Sequence, residues 1–248
     1  MRRLLALALA VLLPARGWAA LGNITVTDAA ASDASPYTFT ATCAGASLGT
    51  DGLLAVLLAA NNGGTAINFT ACTADGSAMT ELRDDTKAGG HATEIHYIKL
   101  PDTSVAISCS WTGTGGAPDF ITGGSICVTG ADQTTPIEAN GTGTGSTDPS
   151  TAIVTLTDGA IVVDVVAQDD DSDHTLGADQ TQVFQTNQPV QYGHGYGSYE
   201  SKATAGSVTM SWTGADANWV QSLAVIKPSG GAPAATYPAA VINNPVRM

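Results

Sequence analysis

Asp51-Gly-Leu-Leu-Ala-Val-Leu-Leu58 and Asp158-Gly-Ala-Ile-Val-Val-Asp-Val165 are the two stretches on which the fold turns. Taken alone, the first is ambiguous, because Leu and Ala are strong helix formers. The second is not, because Ile161, Val162, Val163 and Val165, with Val166 directly after, are β-branched and favour a strand. The two stretches open with the same Asp-Gly and match along their length, so they are expected to share one structure. Leu53–Leu58 is therefore predicted as a strand buried on both faces.

Two further blocks repeat in the same order. Val105-Ala-Ile-Ser-Cys-Ser-Trp-Thr-Gly113 matches Val208-Thr-Met-Ser-Trp-Thr-Gly214 with one gap, and Ser125-Ile-Cys-Val128 matches Ser222-Leu-Ala-Val225. Tyr37–Thr42, Thr93–Lys99, Val105–Trp111 and Ser207–Trp212 alternate with period two and are bounded by turn residues. The chain thus reads as two pseudo-repeated β halves, about 37–130 and 151–228. The segment Gly141–Pro149 is read as a joining loop too short to insulate two domains. The expected fold class is all-β, a jelly-roll-like two-sheet β-sandwich over 37–228. Residues 20–36 are expected to supply an N-terminal strand, Asn23–Thr27, and a linker. Residues 229–248 form a Gly/Ala/Pro-rich tail outside the core.

Arg2 and Arg3, the apolar run Leu4–Leu13, and Gly17-Trp-Ala-Ala20 have the form of a secretory signal peptide, assigned to residues 1–19. The run is too short to span a bilayer. The 248-residue chain has a net charge of −13. Losing Arg2, Arg3 and Arg16 leaves six of its nine basic residues against 22 acidic ones, a processed charge of −16. Such a balance excludes nucleic acid as a partner, since phosphates demand a basic face. After signal cleavage it also argues against an anionic membrane surface. The expected location is extracellular, on the cell surface or in the periplasm. Four cysteines, Cys43, Cys72, Cys109 and Cys127, fit an oxidising compartment and allow three disulfide connectivities. Sequence proximity favours Cys43 with Cys72 and Cys109 with Cys127. No C-x-x-C pair suggests zinc.

Three constellations carry chemistry. Gly45-Ala-Ser-Leu-Gly49 fits the G-x-S-x-G elbow of a serine hydrolase, with Ser47 as nucleophile. It lacks the strand-to-helix turn that lifts such a serine over an oxyanion hole. Asp169, Asp171 and Asp173, with Asp179, offer alternating hard oxygen ligands of the kind Ca2+ takes, although no glycine turn or closing Glu follows. Tyr192-Gly-His-Gly-Tyr-Gly-Ser-Tyr199, if extended, puts Tyr192, His194, Tyr196 and Ser198 on one face and three glycines on the other. Tyr192, His194 and Tyr196 could then stack on sugar rings or on a partner. If they do not, the glycines mark close strand packing. Trp111, Trp212 and Trp219 are expected to pack in the core or at a sheet edge. His91 and His96 have no partner at metal-ligand spacing. Asn23, Asn68 and Asn140 head N-x-Thr sequons.

Ile126-Cys-Val-Thr-Gly-Ala-Asp-Gln-Thr-Thr-Pro-Ile137, together with the closing Ser-Trp-Thr-Gly and Leu223-Ala-Val-Ile-Lys-Pro228, resembles the jelly-roll sandwich modules of bacterial secreted and surface proteins and of phage virion proteins. The resemblance implies structural, adhesive or glycan-contacting roles and brings no catalytic residues. The sequence is thus expected to encode a non-catalytic exported structural subunit whose partners are copies of itself or other surface proteins. The alternatives are a secreted carbohydrate-binding or adhesion module and a hydrolase through Ser47.

Overall fold

In the computed structural model, the described residues are 21–33, 35–43, 51–62, 67–87, 89–100, 103–113, 120–169, 174–186, 193–214 and 218–230. They fold as strands throughout. The first half holds β1 (Gly22–Ser32), β2 (Tyr37–Thr42), β3 (Gly52–Asn61), β4 (Ile67–Ala74), β5 (Ser77–Ala78), β6 (Thr80–Lys87), β7 (His91–Leu100), β8 (Ser104–Gly113) and β9 (Phe120–Thr129). The second holds β10 (Ile137–Gly145), β11 (Ser150–Thr155), β12 (Ala160–Gln168), β13 (Thr175–Leu176), β14 (Thr181–Gln185), β15 (His194–Lys202), β16 (Gly206–Thr213) and β17 (Trp219–Ile226).

The all-β sandwich class holds, and the two-sheet unit occurs twice, once in each half. The first half pairs a β1-β9-β3-β7-β6 sheet with a β2-β8-β4-β5 sheet; the second repeats this as β10-β17-β12-β15-β14 and β11-β16-β13. Every pairing is antiparallel. The two five-stranded sheets lie face to face. β3 meets β12 at the centre, β1 lies over β14, and β6 lies over β10. Because β1 corresponds to β10 and β6 to β14, the halves are related by a pseudo-two-fold axis.

This stacking explains the two opening stretches. In β3, Leu54, Val56, Leu58 and Ala60 face the first sandwich, while Leu53, Ala55, Leu57 and Ala59 face the central interface. In β12, Ile161, Val163, Val165 and Ala167 face the centre, and Ala160 and Val162 face the second sandwich. A strand with protein on both faces reads as a near-continuous apolar run, interrupted in β12 by Asp164 before the closing Gln168. The helix alternative fails for the same reason.

Two segments differ from the sequence reading. Gly141–Gly145, read as loop, belongs to β10 and pairs residue by residue with Gln221, Ser222, Leu223 and their neighbours on β17. Its glycines serve close packing: a Cβ on Gly145 would lie 2.5 Å from the Trp219 ring. Asp28–Ser32, read as linker, continues β1 along β9 of the same chain. Tyr37 fastens the corner by donating its hydroxyl to the Ala30 carbonyl at 3.0 Å.

The disulfide pairing is also corrected. Cys72 bonds Cys109 and Cys43 bonds Cys127. Cys72 and Cys109 stand directly opposite each other on β4 and β8, with Cα atoms 4.1 Å apart. Cys43 follows β2 in one sheet and reaches Cys127 on β9 in the other, at 5.4 Å. Proximity along the chain is a poor guide where partners are set by cross-strand register. Two disulfides fit an oxidising environment outside the cytosol. Among the described residues, no helix is long and apolar enough to cross a membrane.

Candidate functional site

The Gly/Tyr strip is extended, as its alternation implies, and becomes β15. His194, Tyr196 and Ser198 share one face and Gly195 and Gly197 the other. The glycine face meets the first half. A Cβ on Gly195 would overlap Thr122 and Ala59 of the first half, and one on Gly197 would overlap the Phe184 ring, which reaches over from the neighbouring β14 into the central core. Bare backbone is what lets the two five-stranded sheets approach here. The aromatic face points into the second sandwich, where Tyr196 and His194 are buried. The platform proposed for sugar rings is therefore turned inward: covering, not exposure, is what a strand in a stacked sheet imposes on both faces. Tyr192 lies outside the described residues.

Around this strip runs a column of polar and aromatic side chains. His194 Nδ1 and the Tyr196 hydroxyl are 2.7 Å apart. The Tyr196 ring packs between His174, with centroids 4.7 Å apart, and Trp212, at 5.1 Å. Gln168 approaches the His174 ring at 2.8 Å. Trp212 then donates its indole N–H to Asp164 Oδ2 at 2.9 Å. Asp164 is the hub: it also accepts Gln221 Nε2 at 2.7 Å, the Ser198 amide at 3.1 Å and the Ser198 hydroxyl. Burial pushes its carboxyl above the usual range, and these donors from Ser198, Trp212 and Gln221 pull it back. The hub ties β12, β15 and β17 of one sheet to β16 of the other. It performs in the second half the cross-sheet task that Cys43–Cys127 performs in the first. Nothing in the β12 sequence flags it except a single Asp in a valine run, which is the signal for a buried polar network.

Asp169, at the end of β12, sits where the two halves meet. His91 Nε2 lies 2.8 Å from its Oδ1, and Asn218 Nδ2 donates to its Oδ2 at 3.3 Å. Burial pushes the His91 imidazole down while Asp169 pulls it up. Asp171 and Asp173 lie outside the described residues. Asp179 occupies a turn before β14, away from Asp169, with φ of 66°. Among the described residues no three His, Cys, Asp or Glu side chains gather in a way that could hold a metal ion. Ser47 also lies outside the described residues, as do residues 1–20 and the tail from 231.

A second buried ionisable group was missed in the sequence. Glu94 and His96, two apart on β7, both face the first sandwich, with Glu94 Oε2 and His96 Nε2 2.5 Å apart. Trp212 and Trp219 are buried and Trp111 packs at the edge of the first core, as expected.

Of the first segment carrying the resemblance, Ile126–Ile137, the part after β9 is the joint between the halves. Asp132 accepts the amides of Thr134 and Thr135 and the Lys227 ammonium at 2.8 Å, closing the turn onto the end of β17. The lysine and the turn amides hold the Asp132 carboxyl down at about 2. Comparison with protein-family models, curated proteins and solved structures yields no match.

Proposed function

We propose that the chain is an exported, non-catalytic β-sandwich subunit that assembles edge to edge with copies of itself on a cell or particle surface. The observation that carries this is where apolar surface remains. Among the described residues, the large hydrophobic side chains left exposed are Val26 (42%), Val154 (53%) and Leu156 (55%). Val26 lies on the edge strand β1, Val154 on the edge strand β11, and Leu156 directly after it. Edge strands are usually guarded by lysine, proline or inward charge. The edge strands β1, β2, β10, β11 and β14 contain no Lys, Arg or Pro, whereas the edge strand β6 carries Arg83 and Lys87. Unguarded edges with apolar side chains are suited to strand addition by a neighbour. The two disulfides fit the oxidising compartment such a subunit would occupy.

Electron microscopy and light scattering on natively secreted protein test the reading. Regular oligomers or filaments are expected, and Val26→Lys with Val154→Lys should disperse them without lowering the thermal midpoint by more than a few degrees. A protein that stays monomeric at high concentration, or a variant that assembles as before, would sink it.

A further inference from the structure

The Glu94–His96 pair stands apart from the edges just described. Its two side chains are 0% and 1% exposed, and their outward atoms, Glu94 Oε1 and His96 Nδ1, have no hydrogen-bond partner. The neighbouring edge strand adds two more acids. Residues three apart on a regular strand point to opposite faces, yet Glu81 pairs opposite His96 and Asp84 opposite Glu94. A bulge between Glu81 and Arg83 makes this possible by inserting one extra residue on the central side. The result is three carboxyls and one imidazole on one face of the β6–β7 ribbon.

Among the described residues no cation lies on that face, although the Arg83 charge pulls Asp84 down from the other side. Arg83 turns to the central side and holds Asp85, which also receives the Ser222 hydroxyl at 2.5 Å; Lys87 reaches the Gly145 carbonyl. β3, which flanks β7 in the sheet, and β4, which covers the pair, bring no ionisable side chain other than the disulfide-bonded Cys72, and from them only the Phe69 amide reaches Glu94. β10, β12 and β17 pack on the opposite side of the sheet.

We propose that one proton shared by Glu94 and His96 is a latch on β6: with it the edge strand stays on the sheet, and without it carboxylate repulsion opens β6 while the rest of the stack holds. Burial and the charges of Asp84 and Glu81 hold the Glu94 carboxyl up at about 9, and burial pushes the His96 imidazole down against the pull of Glu81 and Asp84. A carboxyl raised on folding contributes its full stability below its ordinary value. That contribution shrinks as pH rises and is gone above its folded value, so the latch opens on the alkaline side.

Hydrogen exchange by mass spectrometry tests this on the intact protein, comparing wild type with Glu94→Gln at pH 7 and pH 10. Matched pH cancels the intrinsic exchange rates. At pH 10 the β6–β7 peptides of the wild type should exchange at least tenfold faster than those of the variant, with the second half unchanged. The chain has four glutamates, so carboxyl 13C titration reads each of them. One should titrate near 9, and Glu81→Gln with Asp84→Asn, both at exposed positions, should move it to lower pH. That double variant decides the matter even if Glu94→Gln does not fold. The proposal fails if no glutamate titrates above 7, if its titration ignores the double variant, or if β6–β7 exchange at pH 10 is the same with and without Glu94.

Discussion

Asp164 shows how much one side chain can bind together. Four donors from three strands converge on it, and Gln221 Nε2 also reaches the Met210 carbonyl at 3.3 Å. Removing one partner from a buried network strands the others without water, which costs more than the network itself contributes. Asp164→Ala should therefore lower unfolding free energy by about 3 kcal/mol or more, measured by urea denaturation. A loss under about 1 kcal/mol would mean that the donors find solvent. Asp164→Asn is a milder test, because its amide nitrogen must face at least one donor. At this scale the sequence was partly legible. The alternation of His194, Tyr196 and Ser198 against glycines is visible in the letters, but that both faces are covered is not. That depends on the second sheet stacked beyond it.

Strand identity was the most legible feature of the elements, since period-two runs and β-branched residues report local geometry directly. Partners were not, because pairing joins residues far apart. Cys72 and Cys109 are 37 residues apart and Cys43 and Cys127 are 84 apart, beyond anything spacing could settle. The Gly/Thr strand β10 escaped notice because glycine signals a turn far more often than close packing. Even the repeat was legible only in outline. Ser125-Ile-Cys-Val128 and Ser222-Leu-Ala-Val225 match by letter, yet Val128 faces the central interface and Val225 the second sandwich. A one-residue slip reverses every side chain of a strand, so the topology repeats where the aligned letters do not. Loop length also sets a prediction for the staples. Replacing Cys43 and Cys127 with alanine should cost roughly 4 kcal/mol, and replacing Cys72 and Cys109 somewhat less, because the second closes the shorter loop. Guanidinium unfolding of both double variants without reductant checks the order.

At the scale of the whole molecule, the two sandwiches share one central core made from both five-stranded sheets. They cannot part without exposing it, so unfolding should be a single transition at neutral pH. The joint adds an acid sensitivity. Folding lowers the Asp132 carboxyl from 3.8 to about 2, so its contribution is complete above roughly pH 4 and is lost as pH falls through 2. Lys227→Met should flatten the decline in denaturant midpoint between pH 5 and pH 2, and an unchanged slope would place the acid sensitivity elsewhere.

All four cysteines precede residue 128, and the second half has none. A chain emerging N-terminus first therefore carries every thiol it needs before its second sandwich exists. Oxidation is then finished early and locally, with no cysteine in the second half that could capture the wrong partner. The sealed first sandwich then offers its five-stranded face as the surface on which the later strands settle. Order of synthesis and order of assembly coincide, and the half that arrives last closes by apolar packing and hydrogen bonds, with no disulfide of its own.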